Sequence, residues 1–122
     1  MLDVRQRQAD PDVPVVHREV LERVGRDLVD VPTATRVAET FKVLADATRV
    51  RIVHALSLGE LCTIDLAALL GLSEPTVSHH LRTLRQMRLG RFRRQGRLVY
   101  YALDDEHIRR LFEDSLKHAT ER

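Results

Sequence analysis

Apolar residues recur at three- and four-residue intervals along most of this chain, a period that predicts a mainly helical protein. From Val16 onward, Val20, Leu21, Val24 and Leu28 mark a first helix ending near Asp30-Val31-Pro32. Thr33 is suited to cap a second helix, with Val37, Phe41 and Leu44 as its buried face. Asp46 caps a third, turning Ile52, Val53 and Leu56 inward, and Ser57-Leu58-Gly59 ends it. Thr63 is the expected cap of a short fourth helix, Ile64 to Leu70, with Gly71 just beyond its end. Ser73 caps a fifth, with Glu74 and Pro75 in its first turn, where neither is costly.

Between Gly90 and Leu103 the pattern changes. Arg91-Phe-Arg-Arg, then Gln95-Gly96, then Arg97-Leu-Val-Tyr-Tyr-Ala-Leu reads as a β-hairpin with glycine at the turn. The helical period returns in the last stretch, Asp105 to Arg122, where Ile108, Leu111, Phe112, Ser115, Leu116 and Ala119 fall on one stripe. The fold class these elements imply is mainly α with a small β-hairpin. Residues 1–15 are polar and carry Pro11 and Pro14, and they read as a flexible arm ahead of a domain spanning 16–122.

The fourth and fifth helices, joined by Gly-Leu-Ser, have the form of a helix-turn-helix. The fifth helix has two faces. Val77, Leu81 and Leu84 lie on one side; Pro75, His79, Arg82 and Gln86 lie on the other, flanked by Thr76, Ser78 and Thr83. A core helix does not need an outer face so rich in hydrogen-bonding groups, whereas a helix that reads base edges in a major groove does. His80 borders the apolar side and reads as a packed histidine, not a ligand. A hairpin that follows a helix-turn-helix with Arg93, Arg94 and Arg97 at its tip reads as a wing, its arginines meeting phosphates or a minor groove.

The terminal helix carries a second kind of chemistry. His107 and His118 are eleven residues apart, close to three full turns, so they share one line of the helix. Asp105 precedes the first and Glu121 follows the second, giving Asp-x-His and His-x-x-Glu. All four side chains can ligate a transition metal. Roughly 16 Å of helix separates the two pairs, so one helix cannot bring both to one ion. Two copies packed antiparallel about a twofold axis can, with the apolar stripe as the seam. Each site would then take Asp105 and His107 from one chain and His118 and Glu121 from the other. Asp105 and His107 converge only if Asp105 stands at or before the N-cap. The spacing alone fits a solvated surface helix equally well.

Composition narrows the setting. The chain has 122 residues, enough for one small domain with a modest core. It is 31% charged and only 4% aromatic, which suits a helical globular protein. One cysteine excludes an internal disulfide framework and makes a reducing cytoplasm the default. No stretch reaches membrane-spanning length, and MLDVRQRQAD has no apolar signal core. The formal charge of +2 is small but unevenly placed: His79 to Arg97 holds seven arginines and no acid. Such a block prompts a search for a nucleic-acid partner.

Four segments together resemble the ArsR/SmtB family of metal-sensing repressors. They are Leu44-Ala-Asp-Ala-Thr-Arg49, Glu60-Leu-Cys-Thr-Ile-Asp-Leu66, Ser73-Glu-Pro-Thr-Val-Ser-His-His-Leu-Arg82 and Gly96-Arg-Leu-Val-Tyr-Tyr101. The resemblance runs from about residue 35 to the end of the sequence. It implies a winged-helix homodimer that binds operator DNA without metal and releases it when metal binds. The terminal Asp-x-His and His-x-x-Glu resemble the C-terminal-helix site of zinc-responsive members, which implies zinc there, with cobalt or cadmium able to take its place. The resemblance also implies a backbone carbonyl near Arg88 as acceptor for the second ring nitrogen of His118. In some members a cysteine and an aspartate at the positions of Cys62 and Asp65 bind a soft metal together with the partner's N-terminal arm. In this chain the arm has no cysteine and only His17 is available, so Cys62, Asp65 and His17 form a second, shorter set of candidate ligands. The lack of a Cys-x-Cys motif argues against thiolate sensing of the arsenic or lead type.

Three functional classes follow. A metal-responsive DNA-binding repressor accounts for the helix-turn-helix, the wing and the terminal ligands together. A winged-helix regulator sensing another signal leaves the ligand spacing as accident. A zinc hydrolase accounts for the ligands only. Catalytic zinc keeps a position open beside three protein ligands, and four ligands here would fill the shell. With no Gly-rich phosphate loop or nucleophile–base pair either, an enzyme is not expected.

Overall fold

A computed structural model describes residues 12–103 and 105–121. The chain divides into two compact units, Met1–Phe41 and Lys42–Arg122. Most of the expected arm, residues 1–11, lies outside the described residues, as do Asp104 and Arg122.

The first unit holds α1 (Arg18–Asp27) and most of α2 (Val31–Leu44). Asp30, not Thr33, caps α2: its Oδ1 accepts from the Thr33 amide at 2.8 Å. Pro32 therefore sits in the first turn, where its missing N–H breaks no helical bond. Neither helix has a buried residue. Val20, Leu21, Val24 and Leu28 are exposed, and so are Val37 and Phe41, which the helical period assigns to a buried face. A helix buries its apolar stripe only against another packed layer.

In the second unit, Val43 and Leu44 at the end of α2 pack against the core. Asp46 caps α3 (Ala47–Leu58) as expected, accepting from the Arg49 amide at 2.9 Å. That N–H also lowers the Asp46 pKa from its ordinary value. Ile52, Val53 and Leu56 of α3 meet Leu66 and Ala67 of α4 (Thr63–Leu70) and Val77, Leu81 and Leu84 of α5 (Glu74–Gln86) in a closed core with Leu89 and Leu103.

Thr63 is the first residue of α4 and not its cap. The capping position is Cys62, whose side chain makes no capping bond. The reason is a strand that the hydrophobic period does not reveal. Leu61–Cys62 form β1, which pairs antiparallel with β3 (Leu98–Leu103), Leu61 opposite Tyr101 and Cys62 opposite Tyr100. β2 (Gly90–Gln95) pairs with the other edge of β3, giving a three-stranded sheet in the order β1-β3-β2.

Two left-handed residues bracket α5. Gly71, at φ +67°, ends α4, and Leu72 N donates back to Ala67 O at 3.0 Å. Arg88 ends α5 in the same conformation, at φ +58°, without the freedom of glycine. Leu89 N closes that end by donating to Leu84 O at 2.9 Å, which carries Leu89 into the core. The last helix, α6 (Glu106–Thr120), is capped by Asp105. Among the described residues, no helix is long and apolar enough to cross a membrane.

Candidate functional site

The outer face of α5 is built by its own periodicity. Val77, Leu81 and Leu84 are drawn into the core, which leaves Thr76, His79, Arg82 and Gln86 exposed on the opposite side. Ser73 sets the start of the helix, its Oγ accepting from Thr76 N at 3.3 Å and lying 2.8 Å from Thr76 Oγ1. Ser78 is half-buried and lines a cleft of about 230 Å³ with Cys62, Glu74, Arg97 and the start of β3. His80 is packed and not presented: Arg49 Nε donates to its Nδ1 at 3.2 Å, and the same guanidinium reaches Val43 O.

The hairpin is anchored at several points. Gly96 turns it at φ +62°, a left-handed conformation that costs glycine least. Arg85 of α5 lies with its guanidinium 3.5 Å from the centroid of the Phe92 ring, which ties the hairpin to the helix before it. Arg94 and Arg97 flank the turn and are exposed. Arg93, grouped with them at the tip by its place in the sequence, is engaged elsewhere. Its Nε and Nη2 both donate to Glu60 Oε1, at 2.9 and 2.6 Å, its Nη1 donates to Gln95 Oε1 at 2.8 Å, and its guanidinium lies over Tyr100. The bonds between Arg93 and Glu60 lower the Glu60 pKa and raise that of Arg93. Glu60 stands thirty-three residues from Arg93, a separation in which no sequence period could show the pair.

At α6 the capping geometry brings the first candidate pair together. Asp105 Oδ1 accepts from the amides of His107 (2.8 Å) and Ile108 (3.4 Å) and lies 3.4 Å from His107 Nδ1. The His107 side chain is 93% exposed. His118 in the last turn and Glu121 at the C-cap are exposed at the other end. Among the described residues of one chain, no three His, Cys, Asp or Glu side chains are grouped to hold a metal. The stripe expected to form the seam is divided. Ile108 and Phe112 pack on the chain's own core, Phe112 with its ring 5.5 Å from that of His54. Arg109 Nη1 donates to Ser57 O at 2.7 Å, fixing α6 to the end of α3. Leu111, Ser115, Leu116 and Ala119 remain exposed. Of the second candidate set, Cys62 is only 5% exposed, Asp65 is exposed, and His17 stands at the N-cap of α1.

A helix-turn-helix whose second helix keeps a polar outer face, followed by a hairpin with arginines at its turn, defines a winged helix-turn-helix DNA-binding domain. The chain belongs to the arsR family of bacterial regulatory proteins, whose family model matches residues 46–89. It is a transcriptional regulator and not an enzyme. It is 42% identical over 111 residues to a cadmium resistance transcriptional regulatory protein CadC homolog of Staphylococcus aureus, covering 90% of this chain and 91% of that protein. It is 44% identical over 110 residues to a transcriptional repressor SmtB homolog of Synechocystis, covering 90% and 83%. Among solved structures, the AntR antimony-specific transcriptional repressor superposes with a TM-score of 0.71 at 39% identity, over 77% of this chain and 86% of that one. A homodimeric winged helix-turn-helix DNA-binding domain from Mycobacterium bovis gives 0.69 at 31% identity, over 75% and 84%.

Proposed function

We propose that this chain is a homodimeric, cytoplasmic repressor that holds operator DNA when metal-free and releases it on binding zinc between its C-terminal helices. Each of two symmetric sites takes Asp105 and His107 from one protomer with His118 and Glu121 of the partner subunit. Residues 16–122 act as the winged-helix protomer, with the C-terminal helix as its dimerisation and metal-binding element.

The observation that carries this reading is the N-terminus of α6. A continuous helix would turn residues 105 and 107 apart, but Asp105 stands at the N-cap with its Oδ1 3.4 Å from His107 Nδ1. A half-buried carboxylate and an exposed imidazole thus stand together at one end, with a second imidazole and carboxylate at the other. Two imidazoles and two carboxylates suit tetrahedral zinc and tolerate cobalt or cadmium in its place. The exposed Leu111, Leu116 and Ala119 between the pairs supply apolar surface for a helix–helix seam. The names of the two relatives, one a cadmium resistance regulator and one an SmtB homolog, support a metal as the signal. The burial of Cys62 weighs against a regulatory site at Cys62, Asp65 and His17.

On DNA, each α5 lies in a major groove about 34 Å from its mate, so the operator is close to palindromic. Thr76, Ser78, His79, Arg82 and Gln86 meet base edges or the backbone beside them, and Arg94 and Arg97 meet phosphates. Metal and DNA oppose one another by linkage, so operator DNA weakens metal binding by the factor by which metal weakens DNA binding. Pinning α6 to its mate acts on the reading helices through the end of α5, where a backbone carbonyl near Arg88 would accept from the second ring nitrogen of His118.

The test is an operator-binding titration of metal-free protein against zinc, cobalt and cadmium. His118→Gln is expected to keep metal-free DNA affinity and to lose both metal binding and metal-induced release. Cys62→Ser is expected to keep all three. Release of His118→Gln protein by zinc would show that the sensor lies elsewhere.

A further inference from the structure

The tip of the wing carries three arginines in five residues, Arg93, Arg94 and Arg97, but the structure does not treat them alike. Successive strand residues face opposite sides of a sheet, so Arg93 and Arg94 point apart. Arg93 lies opposite Tyr100 on β3, and Tyr100 lies opposite Cys62 on β1. From β2 its guanidinium reaches across Tyr100, 4.4 Å from that ring's centroid, to Glu60, one residue ahead of β1. Three of its five N–H donors are engaged, those on Nε and Nη2 by Glu60 and one on Nη1 by Gln95. A phosphate that met the remaining N–H groups would stand beside the Glu60 carboxylate, a second negative charge that already answers the guanidinium.

We infer that Glu60 is a wing-positioning residue that withdraws Arg93 from the DNA contact, clamping the hairpin to the corner between α3 and β1 while cancelling one positive charge per wing. The phosphate contacts of the wing then rest on Arg94 and Arg97. This rests on the reading of the hairpin as a DNA-contacting wing.

The salt dependence of operator binding separates the cases, because each neutralised phosphate contributes about 0.9 to the slope of log K against log salt. The test uses the full chain and one operator duplex with Glu60→Ala, Arg93→Ala, the two combined, and Arg94→Ala. Arg93→Ala alone is expected to leave the slope unchanged. Glu60→Ala frees Arg93 and steepens the slope by about 1.8 per dimer, and adding Arg93→Ala removes that gain. Glu60→Gln, which keeps the acceptor oxygen but not the charge, shifts the slope in the same direction as Glu60→Ala. A merely structural clamp would change affinity and melting temperature without changing the slope. The inference is overturned if Arg93→Ala flattens the parent slope as Arg94→Ala does, or if Glu60→Ala fails to steepen it while Arg94→Ala flattens it. A flat response to Arg94→Ala and to Glu60→Ala together overturns the wing reading itself.

Discussion

Replacing Arg94 and Arg97 together by alanine is the sharpest perturbation of the wing. Both flank the Gly96 turn and are exposed, and neither has an ion-pair partner among the described residues, so the change removes charge without opening the core. In a dimer it deletes four positive charges. If each neutralises one phosphate, the slope of log K against log salt falls by about 3.6. Between roughly 50 and 200 mM salt the parent therefore loses about 150-fold more affinity than the variant. The loss at low salt is uniform across DNA sequences, since phosphate contacts position the protein and do not read bases. Fluorescence anisotropy with operator and scrambled duplexes over a salt series measures both quantities. A parental slope in the double variant would show that the hairpin stays off the DNA. A loss confined to the operator would show that the arginines read bases.

Leu81 is 1% exposed at the centre of the core, so Leu81→Ala is expected to cost about 2–5 kcal/mol in a denaturant titration. Asp105→Asn separates capping from ligation, because asparagine caps as well as aspartate. Metal-free melting is then expected to stay at the parental value while calorimetry with zinc shows weakened binding. Asp46 has a folded pKa below its ordinary 3.8, held there first by the Arg49 amide. Its stabilising contribution is therefore complete above about pH 3.8 and is lost as pH falls through the lower, folded value. Asp46→Asn is expected to remove that part of the acid limb of a stability–pH curve and to leave the limb's other carboxylate terms in place.

The sequence by itself determined what rests on neighbours within a few turns. The core faces of α3 and α5 follow from a 3.6-residue period, and the Asp46, Ser73 and Asp105 caps from one side chain reaching amides two or three residues on. The hairpin follows from Gln95-Gly96 between alternating residues. The same local logic misplaced what depends on distant chain. Thr63 has the chemistry of a cap, but β1 pairs with β3 and sets Cys62 in that position, also burying the thiol. The apolar stripe of α6 reads as one surface, yet α3 takes Ile108 and Phe112 from it through His54 and the Arg109–Ser57 bond. Arg93 reads as one more positive charge until Glu60 arrives from thirty-three residues away. Periodicity and capping are properties of a segment and its own backbone, so a one-dimensional record holds them. Which face meets which, and which charge is answered, is decided only when the sheet order β1-β3-β2 brings the start of α4 beside the hairpin.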